Sequence, residues 1–368
     1  MLFRSQRLIA STKGRQIVVP LSGGLDSRII VAMLKRLGAE DVICFTYGKK
    51  GNREAEISRQ VAEALGYRWY FVEYTKEKLY NSYHSDEMQR YLEYGGNLVS
   101  LPHVQDFLAV EELKDEGKIP ENAVFVPGHS GDMLAGSHIP LDYNQPQTYT
   151  FEKFLEDSLK KHYNLWKWDK TELGSLFEGK IRKSAGDISV HDNESCANAI
   201  ELFNFNERQA KFIVNSVRVY EFFGYQWRIP LWDAELIDFF SNVNLEQRIQ
   251  QKLYVSYVRH KLFIDTFNPL FTIDCTTDLN VNKSQNRSSV LRSLCNMLLS
   301  YSLLDFGWVS VYECPLLRRI SIHIKGTDRK SFMQYPLIAQ ILTYCNRLHF
   351  VPSCNGCLTL EFLKRYLI

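Results

Sequence analysis

The sequence predicts an α/β protein, a doubly wound parallel sheet followed by a mainly helical region. Three observations carry that expectation. Within the first 140 residues, apolar strand-like runs alternate with helical patterns, the sequence mark of βαβ units and a parallel sheet. The runs are apolar almost throughout rather than alternating, as strands covered on both faces are. Two successive helical patterns each stop at a glycine, Gly38 and Gly66, where a left-handed residue commonly ends a helix.

In chain order, strands are expected at residues 16–20, 42–47, 69–72 and 123–126. Between the first two, Ile29, Ile30, Met33, Leu34 and Leu37 share one stripe of a helix over 28–37. Residues 54–65 repeat that pattern before Gly66. Beyond residue 140 strand signals thin out and helical spacing dominates, as at 151–163, 206–223 and 231–243. Pro140 and Pro146, set among polar residues, interrupt the periodicity and place a boundary at 140–147. The expected organisation is therefore an α/β core over 1–140, a mainly helical part over 141–290 and a helical C-terminal region of unassigned role over 291–368. A chain of 368 residues accommodates this as one large domain or two of ordinary size.

Composition narrows the class. Hydrophobic residues at 45% and charged residues at 23% match a folded globular protein and exclude disordered or fibrous chains. A net charge of +2 supplies no field for gathering nucleic acid or anionic membrane, so neither is an expected partner. The N-terminus shows no signal-peptide run. The most apolar late stretch, 294–312, is broken by Asn296, Ser300, Ser302 and Asp305, too polar to span a bilayer. Eight cysteines without a secretory signal read as reduced thiols, and a cytoplasmic location is expected. Cys354 and Cys357, with Cys345 and His349 upstream, read either as zinc ligands or, by default, as unliganded thiols.

The chemistry centres on Ser22-Gly23-Gly24-Leu25-Asp26-Ser27, between the first strand and the first βα helix. Two glycines after a strand let backbone N–H groups converge, and the following helix adds unpaired amides and a positive dipole end. Ser22 and Ser27 add hydroxyl donors. Asp26 is costly beside phosphates unless it binds the loop backbone or a Mg2+ that bridges them. The segment matches neither the Walker A pattern nor the dinucleotide fingerprint, which removes the main support for kinase or P-loop chemistry.

The loop resembles the pyrophosphate loop of N-type ATP pyrophosphatases (the PP-loop superfamily) and, in its S-G-G-L-D-S form, that of the asparagine synthetase branch. The segment Pro127 to Ser137, after the fourth strand, resembles that branch's S-G-E-G-S-D-E-hydrophobic-F-G-G. The resemblance implies the adenine-nucleotide α-hydrolase type of sheet, with ATP and Mg2+ as cofactors. It implies nucleotide contacts at Leu21, Ser22, Gly23, Gly24, Asp26, Ser27, Tyr47 and Gly128. Metal-facing carboxylates would be Asp26 and Asp132; as structure alone, Asp132 reads as a helix N-cap. His129 stands where the family has a glutamate thought to assist ammonia's attack, and a neutral imidazole can take the same proton. Met133 replaces a second acidic residue. The segment 225–233 resembles R-x-P-[FL]-x-D, which implies that Arg228 and Asp233 shape the substrate wall; a purely structural role fits them equally. Lys283 is the candidate for the lysine that stabilises charge on the α-phosphate, with a solvated surface lysine as the other reading.

Complete asparagine synthetases carry a glutaminase domain opened by a nucleophilic cysteine, whereas here Leu2 follows Met1 and the first cysteine is Cys44. The expected nitrogen source is therefore free ammonia, another amine or a separate glutaminase subunit. The leading expectation is an AMP-forming amide ligase acting on a small carboxylate, such as aspartate or a uronic acid of a surface polysaccharide. The rivals are a tRNA-modifying PP-loop enzyme and an inert nucleotide-binding subunit.

Overall fold

A computed structural model describes residues 2–163 and 170–263. Five parallel strands, β1 (Ile17–Pro20), β2 (Val42–Gly48), β3 (Arg68–Glu73), β4 (Val124–Phe125) and β5 (Gln226–Trp227), form one sheet in the order β3-β2-β1-β4-β5. The register sets Ile17 opposite both Val42 and Val124, and Phe125 opposite Trp227. The chain winds outward from β1 through β2 to β3, then crosses to β4 on the other side of β1. Loops leaving the carboxyl ends of β1 and β4 therefore meet at the switch point of an open α/β sheet, where such folds hold ligands.

The expected doubly wound sheet is present, with the four expected strands and one more. β5 is only two residues long and lies inside the 225–233 segment, too short to leave a periodic signal. The first two βα helices are α2 (Leu25–Arg36), after α1 (Leu2–Thr12), and α3 (Arg53–Leu65). Gly38 and Gly66 follow them with φ of 78° and 69°, as the stop signals predict. Val18, Val19, Ile29, Val31, Val42, Phe45, Val124 and Phe125 are sealed from solvent, which accounts for the unbroken apolarity of these runs.

Beyond β3 the chain continues through α4 (Lys76–Tyr83), α5 (Asp86–Gly96) and α6 (Phe107–Asp115), and after β4 through the short α7 (Gly131–Leu134). Asp106, buried ahead of α6, accepts hydrogen bonds from Tyr47 Oη (2.5 Å) and Tyr220 Oη (2.6 Å). That carboxylate ties the end of β2 to α11 (Arg218–Phe222). Asparagine offers one acceptor oxygen to two phenols. Asp106→Asn is expected to cost about 1–3 kcal/mol, the price of leaving a buried donor poorly matched, read as a lower urea midpoint with an unchanged slope.

The helical part continues with α8 (Phe151–His162), α9 (Lys170–Ala185) and α10 (Asn193–Asn204). The helix expected over 206–223 is instead a π-helix (Phe205–Ile213), a 3-10 turn (Val214–Val217) and α11. The one expected over 231–243 begins only at α12 (Ala234–Ser241), because Asp233 Oδ1 caps it by accepting from the N–H groups of Glu235 (3.1 Å) and Leu236 (3.2 Å). α13 (Leu245–Arg248) and α14 (Lys252–Ser256) complete the described helices, before a last π-turn over Tyr257–Phe263.

Two compact units divide the chain, Met1–Ser158 with Lys180–Cys275, and Leu159–Gly179 with Thr276–Ile368. Residues 140–147, expected as a boundary, lie inside the first unit. Tyr143 anchors them there: its ring is buried, its hydroxyl donates to Asp157 Oδ2 (2.8 Å), and Asn193 Nδ2 donates to its carbonyl (3.1 Å). In the second unit, the rings of Tyr163 and Phe177 meet at 4.8 Å. No helix among the described residues is long and apolar enough to cross a membrane. Lys283, Cys345, His349, Cys354, Cys357 and the expected C-terminal region over 291–368 lie outside the described residues.

Candidate active site

The loop after β1 is closed by its own serines. Ser22 N–H donates to Ser27 Oγ (3.0 Å), the two hydroxyls lie 3.1 Å apart, and Gly24 N–H donates to Ser22 Oγ (3.2 Å). Gly24 then caps α2 without any side-chain bond to the first-turn amides. Those amides lack intrahelical partners, and together with the positive end of the helix dipole they are the kind of group that attracts an anion. Leu21 is buried, and its backbone is held from both sides: its N–H donates to Phe45 O (2.8 Å) and its carbonyl accepts from the Thr46 hydroxyl.

The second loop is packed directly onto the first. A Cβ on Gly128 would lie 2.8 Å from Ser27 N and 3.0 Å from the Asp26 carbonyl carbon. One on Gly131 would lie 2.5 Å from Asp26 Cγ and 2.7 Å from Leu231 Cδ1. Only glycine permits either contact. Between them Ser130 adopts φ 70°, a left-handed conformation that costs a non-glycine residue roughly 1–3 kcal/mol and gathers at functional sites. The tight approach brings the 22–27 loop, Gly128, His129 and Asp132 to one edge of the sheet.

Asp132 is not an N-cap. Ser130 holds that position and Asp132 is the second residue of α7. Its half-exposed carboxylate faces His138, with Nε2 at 3.6 Å from Oδ2, and Arg208 Nη1 lies 3.4 Å from the same imidazole nitrogen. Burial opposes the charge, but the His138 hydrogen bond and the Arg208 guanidinium outweigh it and hold the carboxyl below the usual carboxylate range. Asp132 is an anion at neutral pH. Asp26, in the first turn of α2, accepts a hydrogen bond from Tyr254 Oη at 2.7 Å.

His129 is pushed down to about 4, first by burial and then by the neighbouring His103. Its imidazole is therefore neutral at physiological pH, with Nδ1 3.2 Å from Ser216 Oγ and the His103 ring at 6.3 Å. Neutral imidazole can accept a proton. An imidazole buried neutral also has a linkage consequence: between its ordinary value of 6.5 and about 4 the unfolded chain binds the proton and the folded one does not. Stability contributed by His129 is complete above pH 6.5 and falls as the pH drops toward 4. Wild type is expected to lose melting temperature more steeply than His129→Gln between pH 6.5 and 4.5. Parallel thermal melts across that range check it.

Three further expected residues have partners within the fold. Tyr47 stacks on Tyr74 with ring centres 4.9 Å apart and spends its hydroxyl on Asp106. Arg228 reaches α1, donating from Nε to Ser11 Oγ (3.1 Å) and from Nη1 to its neighbouring Trp227 carbonyl (2.7 Å). Asp233 caps α12 and pairs with Arg4 Nε at 2.9 Å. Arg228 thus ties α1 to the end of β5, and Asp233 ties α1 to the start of α12. From that segment it is Leu231, fully buried, that comes against Gly131 and Asp26.

Several site residues carry no motif. The π-helix sets Gln209 against the second loop, where its Oε1 accepts from Ser130 Oγ at 3.0 Å, and presents Arg208 to His138. Its i→i+5 bonding widens the turn, a feature that recurs at functional sites. Gln209 and Arg208 lie in a segment read as ordinary helix and Tyr254 in one that carries no motif, so only their proximity identifies them.

A family model described as asparagine synthase matches residues 10–261 of the 368-residue chain. The chain belongs to the asparagine synthase family. Both loops and Tyr254 fall within the matched span. Among curated proteins, a probable glutamine-hydrolysing asparagine synthetase of Acanthamoeba polyphaga mimivirus is similar, with 45% identity over 53 residues. That alignment spans 14% of this chain and 10% of the viral protein. ATP is the nucleotide that the asparagine synthase family uses.

Proposed function

We propose that the protein is an ATP-dependent carbon–nitrogen ligase that adenylates a small carboxylate and passes the acyl group to ammonia or an amine. The observation that carries this reading is the contact of Gly128 and Gly131 with residues 26 and 27. It lays the 22–27 loop, read as the pyrophosphate site, against a second loop that carries His129 and Asp132. The substrate carboxylate attacks the α-phosphorus, the bond to the bridging oxygen of the β-phosphate breaks, and pyrophosphate leaves into the 22–27 loop. Nitrogen then attacks the acyl carbon, AMP leaves, and the proton shed by nitrogen passes to His129 Nε2 or water.

Two carboxylates suit Mg2+, which takes one or two of them together with substrate phosphates rather than an all-protein cage. Asp26 and Asp132 would hold the ion, which when bound supplies charge neutralisation at the phosphates. The loop amides bind the leaving pyrophosphate, and buried Leu21 and Leu231 help to exclude water.

Pyrophosphate and AMP are the products to assay, from ATP, Mg2+ and ammonium chloride over aspartate, other amino acids and nucleotide-linked uronic acids. Carboxylate-dependent pyrophosphate release is the expected result and names the acceptor. Replacement of ammonium by glutamine, alone and with an added glutaminase, identifies the nitrogen source. ADP and phosphate as products would sink the pyrophosphatase assignment, and stimulation by added tRNA would move the activity to RNA modification. Nucleotide binding without pyrophosphate release under every condition would indicate an inert subunit.

A further inference from the structure

The segment between α13 and α14 is strained and clamped at both ends. Gln250 (φ 60°) and Gln251 (φ 58°) are consecutive left-handed residues, and neither is a glycine. Such conformations persist only where the surroundings over-determine them. On one side, Arg248 is buried, donates from Nη1 to Asn198 Oδ1 at 2.9 Å and pairs with Glu201. Its carbonyl oxygen presses on Gly136, where a Cβ would approach to 2.6 Å. On the other side, Tyr254 is 3% exposed, meets Phe240 edge-on at 6.5 Å and donates its hydroxyl to Asp26 Oδ1.

We propose that Tyr254 is a positioning residue that fixes one oxygen of Asp26 so that the carboxylate is presented to nucleotide-bound Mg2+. The inference rests on the pyrophosphatase reading above. A phenol donor at 2.7 Å restricts rotation of the Asp26 carboxylate about its last torsion. The strained link delivers that donor from a segment whose other end bears on the exit of the second loop, so both loops share one brace. Tyr254 touches no reacting atom, and its effect is exerted through Asp26.

The test is titration calorimetry of the full chain with α,β-methylene-ATP, in MgCl2 and in EDTA. Tyr254→Phe keeps the buried ring and removes only the hydroxyl. Its affinity in MgCl2 is expected to fall about tenfold, the lower end of what removing a ligand-orienting partner does to metal binding. In EDTA it should match wild type. Asp26→Asn should weaken Mg2+-dependent binding on its own, and Tyr254→Phe added to it should cost nothing further, since the two act as one unit. Equal weakening with and without Mg2+, or full additivity with Asp26→Asn, would assign Tyr254 a packing role and overturn the inference. Wild type that binds no nucleotide overturns the functional reading with it, whereas wild type that binds and a Tyr254→Phe that binds identically overturns this inference alone.

Discussion

Asp26→Asn is expected to lower carboxylate-dependent pyrophosphate release by about 10²–10³-fold, the loss typical of removing one preorganised electrostatic contact from a transition state. The substitution keeps the shape and leaves an amide oxygen to accept from Tyr254 Oη, now at 2.7 Å from Oδ1. Folding should therefore be preserved while the negative charge at the start of α2 is lost. That charge suits the start of a helix, but beside a bound phosphate it would repel the ligand unless a cation lay between. Steady-state pyrophosphate assays and a thermal melt on the same preparation separate the two effects. A drop of less than about threefold at unchanged stability would remove Asp26 from the chemistry and set aside an electrostatic role of this size.

The second large effect is steric. Gly128→Ala places a methyl group 2.8 Å from the Ser27 nitrogen and 3.0 Å from the Asp26 carbonyl carbon. Both are backbone atoms, so no side chain can swing aside and the two loops must part. Overpacking of this kind costs about 1–3 kcal/mol, but a displacement near 1 Å between reacting groups costs activity about 10²-fold. Activity should thus fall far more than stability. Gly131→Ala acts differently, because its methyl group meets the Asp26 carboxylate at 2.5 Å and must expel it from its place. It should reproduce the Asp26→Asn defect with added loss of Mg2+ dependence. Gly179→Ala, where nothing lies within 4 Å, is the control and should leave turnover unchanged. Comparable losses at all three glycines would refute the close-packed pair of loops.

The 22–27 motif was legible because its chemistry is local: strand, turn and helix start are adjacent in the chain, and glycine and serine declare the turn. The second loop was legible for the same reason, as a glycine-bearing segment after a strand. Arg228 and Asp233 show where that reasoning stops. Their motif is present, yet the guanidinium turns to Ser11 on α1 and the carboxylate to Arg4 and the start of α12. A motif specifies residue types at a spacing, and the direction of each side chain is set by which helix packs above it. The 206–223 segment fails in a different way. Its apolar spacing is compatible with an α-helix, whereas the π and 3-10 turns go with long-range contacts such as Gln209 with Ser130 and Ser216 with His129, which spacing does not show.

By itself, the sequence determined the parallel sheet, its first four strands, the glycine-stopped helices and the serine- and glycine-bearing turn after β1, because each follows from periodicity or turn chemistry within a few residues. Tertiary structure alone decided that Tyr254 meets Asp26 across 228 positions and that Asp106 joins Tyr47 to Tyr220 across 59 and 114. It also decided that Gly128 and Gly131 serve close packing against another loop rather than a turn. A hydrogen bond between distant residues leaves no period and needs no particular neighbour in the chain. It exists because burial of the strands and helices brings the two groups to one place, where a donor and an acceptor removed from water must find each other.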